Sequence, residues 1–450
     1  MKRYEKYKDS GVEWLGEIPE HWGNTSIKNV LEIPITDGPH TTPDLIDEGI
    51  PFISAEAIKN GKIDFNRKRG NISESDYELF SKKYVPKLND IYMVKSGATT
   101  GNVAKLVDDV KFTIWSPLAV FRADGNKVIP DFLHLYLQSS NLRNAVEISW
   151  SYGTQQNIGM GVLGNLNIPI PTLSEQNKIV DYLEFHTALI EEIVSEMQKQ
   201  IELLQEKRKA LINEVVTKGL NPQAPMRDSG IEWLGMIPEH WKCLSLRYIV
   251  DILTDFTAKG SLGDLAKNVT YLEDGYSRLV RLTDLRENLN NKGIYVSKES
   301  HEYLSKSSLY GNEILLANVG AYAGLACLMP EIDYPATLGP NMFLLKFNEH
   351  VNRKFIYYAL LSSYLSGQLI NKAVSSAQPK LNKEDVRSCL VILPTLSEQI
   401  AIVNHIESRT TKIDQTVEEL RMQIEKLKEY KLSVISEAVT GKVDVREWKA

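Results

Sequence analysis

Apolar residues recur along two long stretches of this chain at alternating steps of three and four. Ile190, Ile193, Met197, Ile201, Leu204, Leu211 and Val215 mark the first stretch. Ile413, Val417, Leu420, Ile424, Leu427, Val434 and Ala438 mark the second. Such spacing lays a narrow seam along a helix, as in a coiled coil, rather than the broad face of a globular helix. Each stretch also has a start signal. Pro171 and Pro394 stand upstream, Thr172…Glu175 and Thr395…Glu398 have capping-box spacing, and Ser174 and Ser397 are alternative caps. Roughly 45 residues at about 1.5 Å each make a strut on the order of 65 Å, too long for the middle of an ordinary domain. Arg208 and Lys431 fall on the seam, so each needs solvent or a carboxylate such as Glu206, Glu429 or one across the pair. A single polar layer of this kind can fix helix register.

The two stretches are copies. Pro171-Thr172-Leu173-Ser174-Glu175-Gln176 returns as Pro394-Thr395-Leu396-Ser397-Glu398-Gln399, 223 residues later, and Ile179, Ile201 and Thr217 recur as Ile402, Ile424 and Thr440. A second signature repeats at an offset of 219. Asp9 to Gly16 (Asp-Ser-Gly-Val-Glu-Trp-Leu-Gly) leads to Ile18-Pro19-Glu20-His21-Trp22, and Asp228 to Gly235 leads to Ile237-Pro238-Glu239-His240-Trp241. Asp444 to Trp448 faintly echoes the same start, and Asn221 to Pro225 is a proline-bounded linker.

Between the signatures, residues 23–170 and 242–393 mix short β-rich runs with loops, which predicts two α/β (α+β) domains. Duplication continues inside them. Asn89-Asp90-Ile91 matches Asn312-Glu313-Ile314, Gly97 and Gly101 match Gly320 and Gly324, Phe132 matches Phe355, Ser139-Ser140 matches Ser362-Ser363, and Gln155 matches Gln378. Thr36 to Arg69 has no evident counterpart around Thr254 to Arg286. The chain therefore divides into a repeated segment (1–22), a first domain (23–170), a long helix (171–219), a linker with the repeated segment (220–241), a second domain (242–393), and a second long helix with a tail (394–450). One scaffold carrying two individual surfaces suits recognition of two different things.

Composition narrows the class. At 450 residues there is room for about two to four domains. An apolar share of 43% supports real cores, and a net charge of −6 argues against a nucleic-acid coat protein without excluding a local basic face. Cys243, Cys327 and Cys389 fit neither zinc spacing nor a disulfide framework, so a reducing cytoplasm is expected. Charged residues from Lys2 to Asp9 argue against a signal peptide. The most apolar run, Ile314 to Met329, is interrupted by Asn318, Gly320, Ala321 and Gly324 and reads as core strands rather than a membrane span.

Catalytic candidates are thin. Gly97 to Gly101 has three residues between its glycines and then Asn102, not the four and the lysine of a phosphate loop. It reads as a hairpin tip between strands Ile91–Val94 and Val103–Val107, able to approach a DNA backbone. Asp90, Asp109 and Lys111 mimic a nuclease trio, but Glu313, Ile332 and Tyr334 replace them in the second half. His21 and His240 read as edge residues beside packed Trp22 and Trp241, outside any metal-ligand spacing. Basic residues do cluster. Lys62, Arg67, Lys68, Arg69, Lys82 and Lys83 in the first half, and Arg278, Arg281 and Arg286 in the second, are solvated surface or phosphate contacts. Candidate base readers are Gly97, Thr99, Thr100, Gln155, Gln156 and Asn157, with Tyr322, Gln378 and Lys380 in the second half.

The paired Asp-Ser-Gly-Val/Ile-Glu-Trp-Leu-Gly…Ile-Pro-Glu-His-Trp openings and Pro-Thr-Leu-Ser-Glu-Gln helices resemble the specificity (S) subunit of type I restriction-modification systems, over essentially the whole chain. The resemblance implies two target-recognition domains separated by two long helices in an antiparallel coiled coil, with a pseudo-two-fold internal repeat. Each domain would read one half of a bipartite duplex DNA target. The helices would set the spacer and dock two methyltransferase (M) subunits, through Ile190, Met197, Ile201, Leu204 and Leu211 and through Ile413, Leu420, Ile424, Leu427 and Val434. Four residues added after Val216 would then widen the spacer by one base pair. S-adenosylmethionine, ATP and Mg are expected on the M and restriction (R) subunits, with no cofactor, metal or catalytic group in this chain. Its own residues agree: Asn221-Pro222 continues into Gln223 rather than a methyltransferase Pro-aromatic motif. Two other classes are an adaptor whose globular ends bind proteins, and a self-contained methyltransferase or nuclease, which the missing motifs disfavour.

Overall fold

The computed structural model describes residues 2–149, 157–231, 234–256, 262–373 and 378–449. The chain forms two compact units, Met1–Gln198 with Arg421–Ala450, and Lys199–Leu420. Each contains one globular domain, the first turns of one long helix and the last turns of the other.

In the first unit, a four-stranded antiparallel sheet runs in the order Val103–Lys105, Ile91–Val94, Leu118–Phe121, Thr36–Asp37. Ile91, Tyr92, Met93 and Val94 are all buried because both faces of their strand are covered. One face meets Phe132, Leu133 and Tyr136 of helix Pro130–Gln138, while Tyr92 and Val94 face a smaller core with Ile53, Phe112 and Ile114. A three-stranded sheet of Thr113–Ile114, Ile50–Ile53 and Gly70–Ile72 lies in the same domain.

The second unit repeats the plan. Its four-stranded sheet runs Ala326–Leu328, Ile314–Ala317, Met342–Phe347, Val250–Asp255, the same order with each of the first three strands 223 residues on. Thr36–Asp37 and Val250–Asp255 hold the same edge despite unlike sequences. The apolar run from Ile314 is two strands joined by the glycine tip, as its polar and small residues predict. Beyond this sheet the unit has its own five-stranded sheet of Tyr271–Leu272, Ile294–Val296, Ser277–Val280, Ala336–Leu338 and Ser308–Leu309.

The long helices are Leu173–Lys218 and Leu396–Val439. Ile179 and Leu183 share the first unit's core with Val434, Ile435, Ala438 and Val439. Ile402 and Ile406 share the second unit's core with Ile212, Val215 and Val216. In each unit one helix's start lies against the other's end, so the helices run antiparallel. Every seam residue named above except Ile193 is buried or half-buried. The seam charges pair across the helices, Arg208 with Asp414 at 2.9 Å and Lys431 with Glu191 at 2.5 Å. The partners are themselves 223 residues apart, so the duplication reaches down to the ion pairs.

The two sequence signatures lock together. Glu175 accepts from the Tyr4 hydroxyl at 2.7 Å and meets His21 Nε2 at 3.0 Å, and Glu398 meets His240 Nε2 at 2.9 Å. Gln176 accepts from Ile129 N and Gln399 from Asn352 N, each fixing the loop before a domain helix. Thr395 and Glu398 form the reciprocal capping box, since Thr395 N donates to the Glu398 carboxylate and Glu398 N to Thr395 Oγ1. In the first copy Glu175 N donates to Thr172 Oγ1 while the Glu175 carboxylate serves Tyr4 and His21. Both helices end at a left-handed glycine, Gly219 (φ 74°) and Gly441 (φ 72°), each under a signature tryptophan, Trp241 or Trp22. The tail closes the first unit: Asp444 N donates to Lys2 O, and Trp448 packs on Tyr182 and Phe185.

Candidate nucleic-acid interface

Each four-stranded sheet carries a glycine-rich tip, Gly97–Gly101 or Gly320–Gly324. All four glycines have positive φ, which lets three intervening residues turn the chain between adjacent strands. The tip is pinned from one side. Ser96 bridges to Asn157 and Ile158 N donates to Lys95 O, while Val319 bridges to Lys380 and Leu381 N donates to Asn318 O. The fold thus gathers Gly97, Thr99, Thr100 and Asn157 at one place, and Tyr322, Gln378 and Lys380 at the equivalent place in the second unit. Thr100 is buried, its hydroxyl donating to Gly97 O, so it braces the tip while Thr99 is exposed. Gln155 and Gln156 lie outside the described residues.

The basic candidates of the first unit separate by partner. Lys62, Arg67, Lys68 and Lys82 are exposed. Arg69 stacks over the Trp115 ring at 3.7 Å. Lys83 is bound to buried Asp37, which also receives Lys95 at 3.3 Å. Burial opposes ionisation of Asp37, but the two lysines outweigh it and hold its carboxyl below the usual range. Lys95, only 12% exposed in its side chain, escaped the sequence reading because it stands apart from the basic clusters. The nuclease-like trio is dispersed. Asp90 is buried against Arg122 (2.7 and 2.8 Å) and the Tyr84 hydroxyl, while Lys111 pairs with Glu74. No cluster of metal-ligating side chains occurs among the described residues.

In the second unit the three arginines part company. Arg278 is not a surface cation. It is buried in its strand, with Nη1 on Leu289 O at 2.8 Å and Nη2 on Asn291 O and Oδ1, because the outward-looking strand is roofed by the 287–293 loop. Arg281 is committed to Asp284, which is fully buried and also accepts from Arg281 N and Asn291 Nδ2. Arg286 is exposed and donates through Nη1 to the Tyr322 hydroxyl at 3.0 Å. Burial raises the Asp284 pKa, but Arg281 and Asn291 outweigh it and hold the carboxyl below its ordinary value. A depressed carboxyl stabilises above its unfolded pKa, about 3.9, and that support is lost as pH falls through the folded value. Asp284→Ala is therefore expected to cost the second unit about 3 kcal/mol at pH 7 and to flatten its stability loss below about pH 4. Thermal unfolding across pH 3–7 checks this.

This geometry has counterparts among known proteins. A family model described as "Type I restriction modification DNA specificity domain" matches twice, over residues 19–203 and 238–426. The chain belongs to that family. It is 25% identical over 446 residues to the type I restriction enzyme MjaVIII specificity subunit of Methanocaldococcus jannaschii, covering 95% of this chain and 94% of the relative. It is 26% identical to the putative MjaX specificity subunit of the same organism, covering 96% of each. A chain solved in work on complex assembly and conformational transition of the type I R-M system superposes with a TM-score of 0.66. That match has 16% identity and covers 95% of this chain and 99% of the other, so the fold is shared. Among the described residues, no helix is long and apolar enough to cross a membrane.

Proposed function

We propose that this chain is the non-catalytic, sequence-reading subunit of a type I restriction-modification complex, with each unit reading one half of a bipartite duplex target. The observation that carries the reading is the doubled family match laid over a doubled fold. Each unit presents a pinned glycine tip at the same place in its sheet, with unlike side chains around it. In this reading two M subunits dock along the helix seam, and R subunits join them. S-adenosylmethionine, ATP and Mg act on those partners, in the cytoplasm.

The exposed cations beside the first domain are assigned to phosphates. Each neutralised phosphate contributes about 0.9 to the slope of log affinity against log salt. Arg67→Ala with Lys68→Ala should thus lower the slope by roughly two and weaken all duplexes alike, leaving base preference intact. Filter binding from 50 to 200 mM salt tests it. Sequence-indifferent, salt-insensitive binding by the unaltered chain would instead favour a protein–protein adaptor.

A further inference from the structure

The two tips are built alike but armed differently, and the sharpest difference is Arg286. We propose that Arg286 reads a guanine in the half-site of the second unit, held in a fixed pose by Tyr322 and by a buried network beneath its loop. This rests on the DNA-recognition reading above.

Arg286 ends the short helix Leu282–Arg286 and is exposed, yet its guanidinium is not loose. Nη1 donates to the Tyr322 hydroxyl at 3.0 Å, and its Cζ lies 4.9 Å from the ring centroid. One N–H is occupied, and the fork's other donors remain to match the O6 and N7 acceptors of guanine in the major groove. The loop beneath is over-determined. Asp284 holds Arg281 and Asn291, and Arg278 holds Leu289 and Asn291. Leu289 adopts φ 60° after Asn288 at 49°, a left-handed backbone that costs a leucine about 1–2 kcal/mol. A network able to hold that strain fixes the adjacent arginine, and a fixed arginine loses less freedom on binding. In the first unit Thr99 occupies the place of Tyr322, so this reading device belongs to the second half alone.

Arg286→Lys separates base reading from charge, because lysine keeps the cation and loses the fork. The chain, assembled with its methyltransferase partner, is titrated against duplexes carrying each single base-pair change in the target found by methylome sequencing. Arg286→Lys should lose roughly five- to hundredfold discrimination at one G·C pair of one half-site, with the salt slope and other half-site unchanged. Tyr322→Phe, which keeps the ring but frees the arginine, should lose part of the same discrimination. Undiminished discrimination at every position in Arg286→Lys would overturn the proposal. So would uniform weakening with a salt slope lower by about one in Arg286→Ala, the signature of a phosphate contact. If the unaltered complex showed no sequence preference at all, the recognition reading itself would fall, and this proposal with it.

Discussion

Gly441→Val should lower the unfolding midpoint of the first unit by about 10 °C. Two costs combine there. The backbone is left-handed at φ 72°, which is unfavourable for a β-branched residue by roughly 1–2 kcal/mol. A Cβ would also stand 2.3 Å from Pro19 Cδ and 3.1 Å from Trp22 Cη2, and relieving such overpacking costs about 1–3 kcal/mol. For a unit of this size each kcal/mol moves the midpoint by roughly 2–4 °C. Gly219→Val meets Trp241 at 3.0 Å and should unsettle the second unit by less. Gly11, at the same φ of 72° with open space around it, is the control, and Gly11→Ala should show only the backbone cost. Calorimetry with amide exchange resolves which unit moved. A Gly441→Val midpoint within a degree of the unaltered chain would show that the helix end does not depend on the tryptophan seat.

Adding four residues to both long helices, after Gln198 and after Leu420, is expected to widen the unread gap in the DNA target by one base pair. Four helical residues add about 6 Å and turn the rest of the helix by roughly 400°, a net 40°. One base pair advances about 3.4 Å and turns about 34°. Translation alone favours two base pairs and rotation one. Rotation decides, because a misturned tip faces away from its groove. Val216, the site suggested by the seam pattern alone, is unsuitable for the insertion. It is fully buried in the second unit's core, three residues before the glycine under Trp241, so an insertion there dislodges that seat instead of lengthening a strut. At the boundary between the units Gln198, Lys199 and Arg421 are exposed and Leu420 is half-buried. An active variant with both half-sites and an unchanged gap would show that the helices do not measure spacing.

The legible parts of the sequence were those where backbone chemistry and repetition agree. Thr172, Thr395 and the seam located two helices, and the offset of Arg208 and Lys431 anticipated ion pairs before their partners could be named. Lys218-Gly219 and Gly441-Lys442 looked like inverted endings. Both helices close on a left-handed glycine, and the halves differ there by one residue of helix. Thr36 to Arg69 was opaque because an edge strand is held by backbone bonds that many sequences can make. The arginines were opaque for another reason. Arg278, Arg281 and Arg286 look equivalent along the chain, and only the roofing loop and Asp284 decide that one is buried, one is committed and one is free to face a ligand. His21 and His240 were read as bystanders, yet they bond to the glutamates of the helix motif, a link whose signal was the joint repetition of both motifs.

The central claim, that this chain dictates which bases are modified, is tested most directly by methylome sequencing of host cells with and without it. The account predicts a bipartite, asymmetric methylated motif that vanishes when the chain is removed and returns when it is restored. Persistence of the same motif in its absence would contradict it.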